Sequence, residues 1–184
     1  MMKATLSADE AADRYGYPVM FFHWSLAVLL PVQIGIGLYM ISIEDQPGSG
    51  WYFALHISLG LTAALLIVLR SMWRVRQVPP VLLGTVSAWQ AKAARISHAL
   101  LYTLMLLMPL TGYLGAAFGG EAISYFGLPL PSWSAKNEAL KEQFFTAHSV
   151  IAWLLVAMVT MHVGAALKHL LIDKDTVFQR MWPR

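Results

Sequence analysis

Four long runs of apolar residues make up most of the chain, and short segments rich in charged residues, proline and glycine separate them. The runs cover about residues 18–43, 51–73, 96–118 and 144–172. Each is about 20 residues long or longer, which lets an α-helix cross a hydrocarbon core of about 30 Å. The pattern therefore predicts an all-α fold, an integral membrane four-helix bundle, with a single membrane domain over residues 1–184.

Composition agrees with a membrane environment. Of the 184 residues, 58% are hydrophobic and 12% are charged, whereas soluble domains carry about 25% charged residues. The sequence contains no cysteine, which excludes disulfides, iron–sulfur clusters, thiolate zinc sites and covalently attached haem. The net charge of +3 does not indicate a nucleic-acid partner, because the basic residues flank the apolar runs rather than forming one patch.

Basic residues are divided unequally between the two sides of the predicted bundle. Eleven of the 13 lysines and arginines lie on the side that carries both termini, and only Lys136 and Lys141 lie on the other. Because membrane proteins keep loops rich in Lys and Arg in the cytoplasm, the pattern predicts that both termini are cytoplasmic.

The histidines are the candidate functional residues. All six lie in or at the ends of the apolar runs: His23, His56, His98, His148, His162 and His169. An ionisable side chain inside a membrane is costly and is by default a functional candidate. A single intramembrane histidine has an ordinary explanation, a neutral imidazole bonded to a carbonyl of a neighbouring helix. Six of them in four helices make that a poor general explanation.

The depths of the histidines predict two pairs. His148 and His162 are 14 residues apart, which separates them by about 21 Å along one helix and keeps them roughly on one face. His56 matches the outer depth of His148, and His23 matches the inner depth of His162. Two opposed imidazoles are the axial ligands that a six-coordinate haem iron needs, and such a haem suits electron transfer because no coordination position stays open. Spacing and depth therefore predict two haems between histidine pairs.

Small residues near these histidines would let a flat macrocycle or a neighbouring helix approach closely, although ordinary helix packing explains any one of them equally well. The candidates are Gly35, Gly37, Gly60, Gly112, Gly115 and Gly164.

His98 and His169 remain outside the two pairs, on the predicted cytoplasmic side. Together with Lys92 and Arg95 they form a candidate quinone site, where an imidazole would bond a quinone carbonyl oxygen. One alternative is that the two histidines, with Arg95 and Lys168, contact lipid phosphates. A third haem between the two histidines is a less favoured alternative.

The chain resembles the bacterial cytochrome b561 family over essentially its whole length. The resemblance is carried by FFHWSLAVLL with His23, WYFALHISLG with His56, RISHALLYTLMLLMPLTGY with His98, and FFTAHSVIAWLLVAMVTMHVGAALKH with His148, His162 and His169. It implies two haems b, with iron ligated by His23 with His162 and by His56 with His148. It also implies a multi-pass protein of the bacterial inner (plasma) membrane.

Within that family the chain is most similar to the superoxide oxidase type. That similarity implies electron transfer from superoxide at the periplasmic face to ubiquinone, with His98 and His169 lining the quinone site. Lys136 and Lys141 could help to attract superoxide, although nearby glutamates offset them.

Two other functions remain open at this point. The first is a cytochrome b subunit that anchors a larger dehydrogenase or hydrogenase, which would require a redox partner protein. The second is a histidine-lined transporter of metal ions or protons without haem. A transporter predicts acidic residues beside the histidines within the spans, and the apolar runs contain none there.

Overall fold

The computed structural model describes residues 14–77 and 86–183, which form four long helices and a short hairpin. The elements in chain order are α1 (Tyr17–Ser42), α2 (Ser49–Arg76), α3 (Ala88–Gly119), strands β1 (Ser124–Tyr125) and β2 (Leu128–Pro129), α4 (Glu138–Lys168), a π-helical turn (His169–Asp173) and a 3₁₀ turn (Phe178–Met181). The predicted four-helix architecture is confirmed.

Polar caps, rather than the first apolar residue, mark the starts of the last two helices. Ser87 forms a reciprocal capping box with Gln90, so α3 begins at Ala88, well before the apolar run that starts near residue 96. The Asn137 side chain accepts from the backbone N–H of Leu140, which places the amphipathic segment before the fourth run in α4 itself. Such caps satisfy backbone N–H groups that have no partner within the helix. Residues 78–85 of the link between α2 and α3, including its prolines, lie outside the described residues.

The helices pack in chain order, α1 along α2, α2 against α3, and α3 along α4. The segment between α3 and α4 contains an antiparallel hairpin that the sequence analysis did not predict. Phe126 and Gly127 form its two-residue turn with φ of 45° and 86°, as tight hairpins require. The hairpin packs on α2, where Ser58 Oγ accepts from the Phe126 N–H at 3.0 Å. We call this side of the bundle the hairpin end.

The opposite side, which carries the start of α1 and the end of α4, is the terminal end. Here the segment after α4 folds back under α1: Trp24 Nε1 donates to the carbonyl oxygen of Met181 at 2.7 Å. The Tyr15 N–H donates to the carbonyl oxygen of Arg180 at 3.2 Å, and the Trp24 and Trp182 rings meet edge to face. The two described chain ends therefore pack together.

The outward surface of the helices is apolar. Large side chains such as Val28 and Trp153 are about two-thirds exposed, at 66% and 64%, whereas Ile67 and Leu155 are almost fully buried between helices. All four helices are long and apolar enough to cross a membrane. A surface of this kind is solvated by hydrocarbon rather than by water, so the chain is a multi-pass membrane protein.

Candidate functional site: two histidine pairs

At the hairpin end, His56 of α2 faces His148 of α4. Their ring centres are 6.2 Å apart, and the rings are nearly perpendicular, at 78°. His148 Nδ1 donates to the carbonyl oxygen of Met108 at 2.9 Å, and Thr111 Oγ1 lies 3.4 Å from the same nitrogen. With its proton on Nδ1, the neutral imidazole of His148 keeps Nε2 free to bind a metal.

Glycines on the flanking helices make room for these two rings. A Cβ on Gly112 of α3 would lie 2.8 Å from Cε1 and 2.9 Å from Nδ1 of His148, closer than real Cβ contacts. A Cβ on Gly37 of α1 would lie 3.1 Å from Cε1 of His56. By contrast, a Cβ on Gly35 or Gly164 would have no neighbour within 4 Å. Close approach of a protein ring therefore explains Gly37 and Gly112, whereas no protein atom requires a glycine at Gly35 or Gly164.

At the terminal end, His23 of α1 faces His162 of α4 with the same separation, 6.2 Å between ring centres, at 68°. His98 of α3 approaches His162 from another side, with ring centres 5.5 Å apart. A cation accompanies this group: Arg70 Nη2 lies 3.5 Å from His23 Nδ1, and Arg70 Nη1 donates to the carbonyl oxygen of Val19 at 3.0 Å. Three imidazoles and one guanidinium, contributed by all four helices, thus meet inside the terminal end.

The two pairs fit a haem held by two histidines. An iron ion between two imidazoles, with each metal–nitrogen bond about 2 Å long, holds the ring centres roughly 6 Å apart. Both pairs have that separation, and both bring together rings from two different helices. Metal-binding histidines usually donate their other ring N–H to an acceptor, as His148 does to Met108. The two histidines of each pair would both bind the iron, which favours electron transfer over the binding of a small molecule at the iron.

Carboxylates surround His169. His169 Nδ1 lies 2.7 Å from Asp175 Oδ2 and 3.4 Å from an Asp173 oxygen, and Lys168 Nζ lies 2.5 Å from the same Asp173 oxygen. The Asp175 carboxylate is nearly buried and also accepts from the backbone N–H of Val177.

The other members of the candidate quinone site belong to α3. Lys92 and Arg95 are exposed on the first turns of α3. The ring contact of His98 is with His162. Arg70 is a cation beside these imidazoles that the sequence analysis did not include in the candidate quinone site.

Lys136 and Lys141, which the sequence analysis considered for attracting an anion, are both paired with Glu138. Their Nζ atoms lie 3.7 Å and 2.9 Å from its carboxylate oxygens. A pocket of about 360 Å³ opens beside the start of α2, close to His56 in the chain, and Glu121 lines it. Paired lysines and an acidic lining give this face little net attraction for an anion.

Three contributors to these sites were not singled out from the sequence. Arg70 was counted only as a basic residue flanking a span, and Asp175 and Gln33 were not considered. A signal was present for Gln33, because it is an amide in the middle of an otherwise apolar run. For Arg70, the signal was a charged residue six positions before the end of α2.

Comparisons with known proteins agree with this geometry. A family model described as prokaryotic cytochrome b561 matches residues 14–184. Cytochrome b561 homolog 2 of Escherichia coli (strain K12) is 34% identical over 180 residues, which is 96% of this chain and 95% of that protein. Cytochrome b561 homolog 1 of the same organism is 29% identical over 175 residues, covering 94% and 98%. A protein named probable superoxide oxidase CybB, from Yersinia pestis, is 24% identical over 162 residues, covering 88% and 92%. The chain belongs to the prokaryotic cytochrome b561 family, whose members bind haem b and transfer electrons in membranes.

Proposed function

We propose that this protein is a di-haem cytochrome b that takes electrons from superoxide at the periplasmic face of the bacterial inner membrane and delivers them to ubiquinone at the cytoplasmic face. Two superoxide ions would each lose one electron and leave as dioxygen. One ubiquinone would gain those two electrons, together with two protons from the cytoplasmic side, and leave as ubiquinol. Haem b supplies one-electron carriers when bound, and helices α1, α2 and α4 supply the four histidines that would hold it.

The observation that carries the electron-transfer proposal is the pair of equal histidine separations. His56 with His148 and His23 with His162 have ring centres 6.2 Å apart at opposite ends of one bundle. Two sites of this kind in one bundle suit transfer from one face of the membrane to the other. The family's chemistry supports haem b as the group between each pair.

Residues at the terminal end support an electron acceptor there. His98 lies beside His162, so a molecule bonded to His98 would be next to the inner pair. Arg70 adds a fixed positive charge beside His23, which favours a group that gains negative charge. His169 and Asp175 form a hydrogen-bonded acid–base pair on the same end, and such a pair is able to hold and release a proton. A quinone needs both electrons and protons, and these side chains suit that requirement.

The choice of superoxide as donor depends on the resemblance to the superoxide oxidase type, because the lysines of the hairpin end are paired with Glu138. A direct test is rapid mixing of the oxidised holoprotein with superoxide while the haem absorption bands are followed. We expect haem reduction, and reoxidation when ubiquinone is added, at two superoxide ions consumed per ubiquinol formed. Reduction by dithionite but not by superoxide would refute superoxide as the donor.

The acceptor side is tested by His98→Ala and His169→Ala. Loss of one hydrogen bond to a bound quinone costs about 1–3 kcal/mol, and each 1.4 kcal/mol is a factor of ten, so reoxidation by ubiquinone should slow roughly ten-fold or more. Both variants should keep two haems and normal reduction by superoxide. Lys92→Ala tests the lysine that the sequence analysis placed at this site, and reoxidation at the wild-type rate in that variant would exclude its exposed side chain from quinone binding. Normal reoxidation in both histidine variants would contradict the proposed quinone site.

A further inference from the structure

The two histidines at the hairpin end differ in how their Nδ1 atoms are satisfied. His148 Nδ1 donates to the carbonyl oxygen of Met108. His56 Nδ1 is buried and has no hydrogen-bond partner among the residues that the structure describes. A buried polar group without a partner is costly, and a histidine that binds metal through Nε2 must place the proton of Nδ1 on some acceptor.

A second unpaired atom belongs to the residue that already contacts His56. Gln33 reaches from α1 to α2, and its Nε2 donates to the backbone carbonyl oxygen of His56 at 2.6 Å. The other atom of this amide, Oε1, is buried and unpaired within the described part of the chain. His56 therefore lacks an acceptor for a proton on Nδ1. Its hydrogen-bonded neighbour Gln33 has an acceptor oxygen, Oε1, that receives no hydrogen bond.

The spacing of residues along α1 places Gln33 on the helix face that His56 contacts. Gln33 and Gly37 are four residues apart and share one face of α1. A Cβ on Gly37 would lie 3.1 Å from Cε1 and 3.5 Å from Nδ1 of His56, so this edge of the ring faces α1. The free edge of His56 is thus directed at the helix face that carries Gln33.

The opposite half of the site has the same arrangement with its hydrogen bond made. Met108 and Gly112 are also four residues apart on α3, Gly112 faces the Cε1–Nδ1 edge of His148, and Met108 supplies the acceptor. Gln33 thus occupies on α1 the helix position that Met108 occupies on α3, but its acceptor would be the side-chain Oε1 rather than a backbone carbonyl.

We propose that Gln33 is the positioning residue of His56: its Oε1 accepts the Nδ1 proton of His56 and so keeps Nε2 of that ring available to haem iron. The inference rests on the proposed function, in which His56 and His148 ligate the haem at the hairpin end. An acceptor on Nδ1 orients the ring and makes the imidazole a stronger electron donor, which stabilises oxidised iron and lowers the reduction potential.

The test is redox titration of the holoprotein with Gln33→Leu, combined with electron paramagnetic resonance of the oxidised haems. We expect the midpoint potential of the haem at the hairpin end to rise, its low-spin resonance to change, and its affinity to fall roughly ten-fold. The haem at the terminal end should be unchanged and serves as an internal reference. Unchanged potentials and resonances of both haems would overturn the inference, because His56 Nδ1 would then use another acceptor.

Two further variants distinguish the loss of the Gln33 acceptor from a general change in packing. Gln33→Glu keeps an oxygen acceptor in either protonation state, so the potential should remain at or below the wild-type value. Thr62→Val is the matched control on α2, because it removes a buried hydrogen bond to the Tyr125 hydroxyl, 3.2 Å away, without touching His56. It should leave both potentials unchanged. If Thr62→Val shifts the potential as much as Gln33→Leu does, the effect is one of packing and the inference fails.

If Gln33→Leu does not fold, a smaller change reaches the same amide. A Cβ on Gly60 would lie 3.0 Å from Gln33 Nε2, so Gly60→Ala displaces the amide while adding a single methyl group. We expect a smaller shift in the same direction, and no shift would count against the inference. His56→Ala distinguishes a failure of the His56 ligand assignment from a failure of the positioning role of Gln33. Full haem content in that variant would refute the ligand assignment, whereas haem loss there with no effect at Gln33 would refute only the positioning role.

Discussion

At the scale of single residues, a carbonyl oxygen and a missing Cβ determine how His148 is held. The Met108 carbonyl fixes the proton on Nδ1, and Gly112 leaves the space in which the ring lies. Both features are needed together, since a ring that is pushed away from α3 loses its acceptor as well as its position. The geometry of the His56–His148 pair therefore depends on α3 although α3 supplies neither ring.

Gly112→Ala should lower haem occupancy at the hairpin end. The new Cβ would lie 2.8 Å from Cε1 of His148, so the ring must move and its hydrogen bond to Met108 must lengthen or break. Loss of such an outer-shell contact typically weakens metal binding by about 10–100-fold. Haem content and the reduced-minus-oxidised spectrum of the purified variant measure the effect.

Gly35→Ala is the matched control, because nothing lies within 4 Å of its Cβ position and alanine favours a helix more than glycine, by about 1 kcal/mol. It should keep full occupancy. Equal occupancy in the two variants would show that the ring does not need the space at Gly112.

Residue types in the apolar runs were enough to identify the histidines, but not the groups that hold them. Histidine is rare and costly in a membrane span, so each one was visible in the sequence. Gln33 and Arg70 act through contacts between segments distant in the chain, and no local pattern reports such contacts. Asp175 contacts His169 only six residues away, but the π-helical turn between them was not predicted. Helical spacing likewise predicted glycines near the histidines without distinguishing Gly37, which contacts a ring, from Gly35, whose Cβ position has no protein atom within 4 Å.

At the scale of elements, hydrophobicity predicted the four helices and their order, while polar residues determined where they begin. The apolar runs put the start of the third helix near residue 96, but the Ser87–Gln90 capping box starts α3 at Ala88. The extra turns are amphipathic and bring Lys92 and Arg95 into the helix. The hairpin between α3 and α4 was not predicted, because its strands have only two residues each and carry no alternation.

At the scale of the whole molecule, the two ends of the bundle differ in composition and in packing. The terminal end carries most of the lysines and arginines, and the chain segment after α4 folds against Trp24 there. The hairpin end carries Lys136 and Lys141, both paired with Glu138. By the distribution of basic residues, the terminal end should face the cytoplasm.

Reporter fusions test this orientation. A reporter that works only in the cytoplasm should be active when fused after Arg184 or inserted within residues 74–78. A reporter that works only outside the cytoplasm should be active when placed near Ser134. The expected result follows from the excess of basic residues at the terminal end. A reporter after Arg184 that is active outside the cytoplasm would reverse the assignment of donor and acceptor sides.

The haem-to-protein ratio of the purified chain tests most directly whether two histidine pairs hold two haems. We expect two low-spin haems b per chain in the wild type, and about one in His148→Ala, with the haem between His23 and His162 retained. His98→Ala is the matched control and should keep two, since His98 lies beside His162 but outside both pairs. A full complement of haem with an unchanged spectrum in His148→Ala, or loss of haem in His98→Ala, would contradict the ligand assignment.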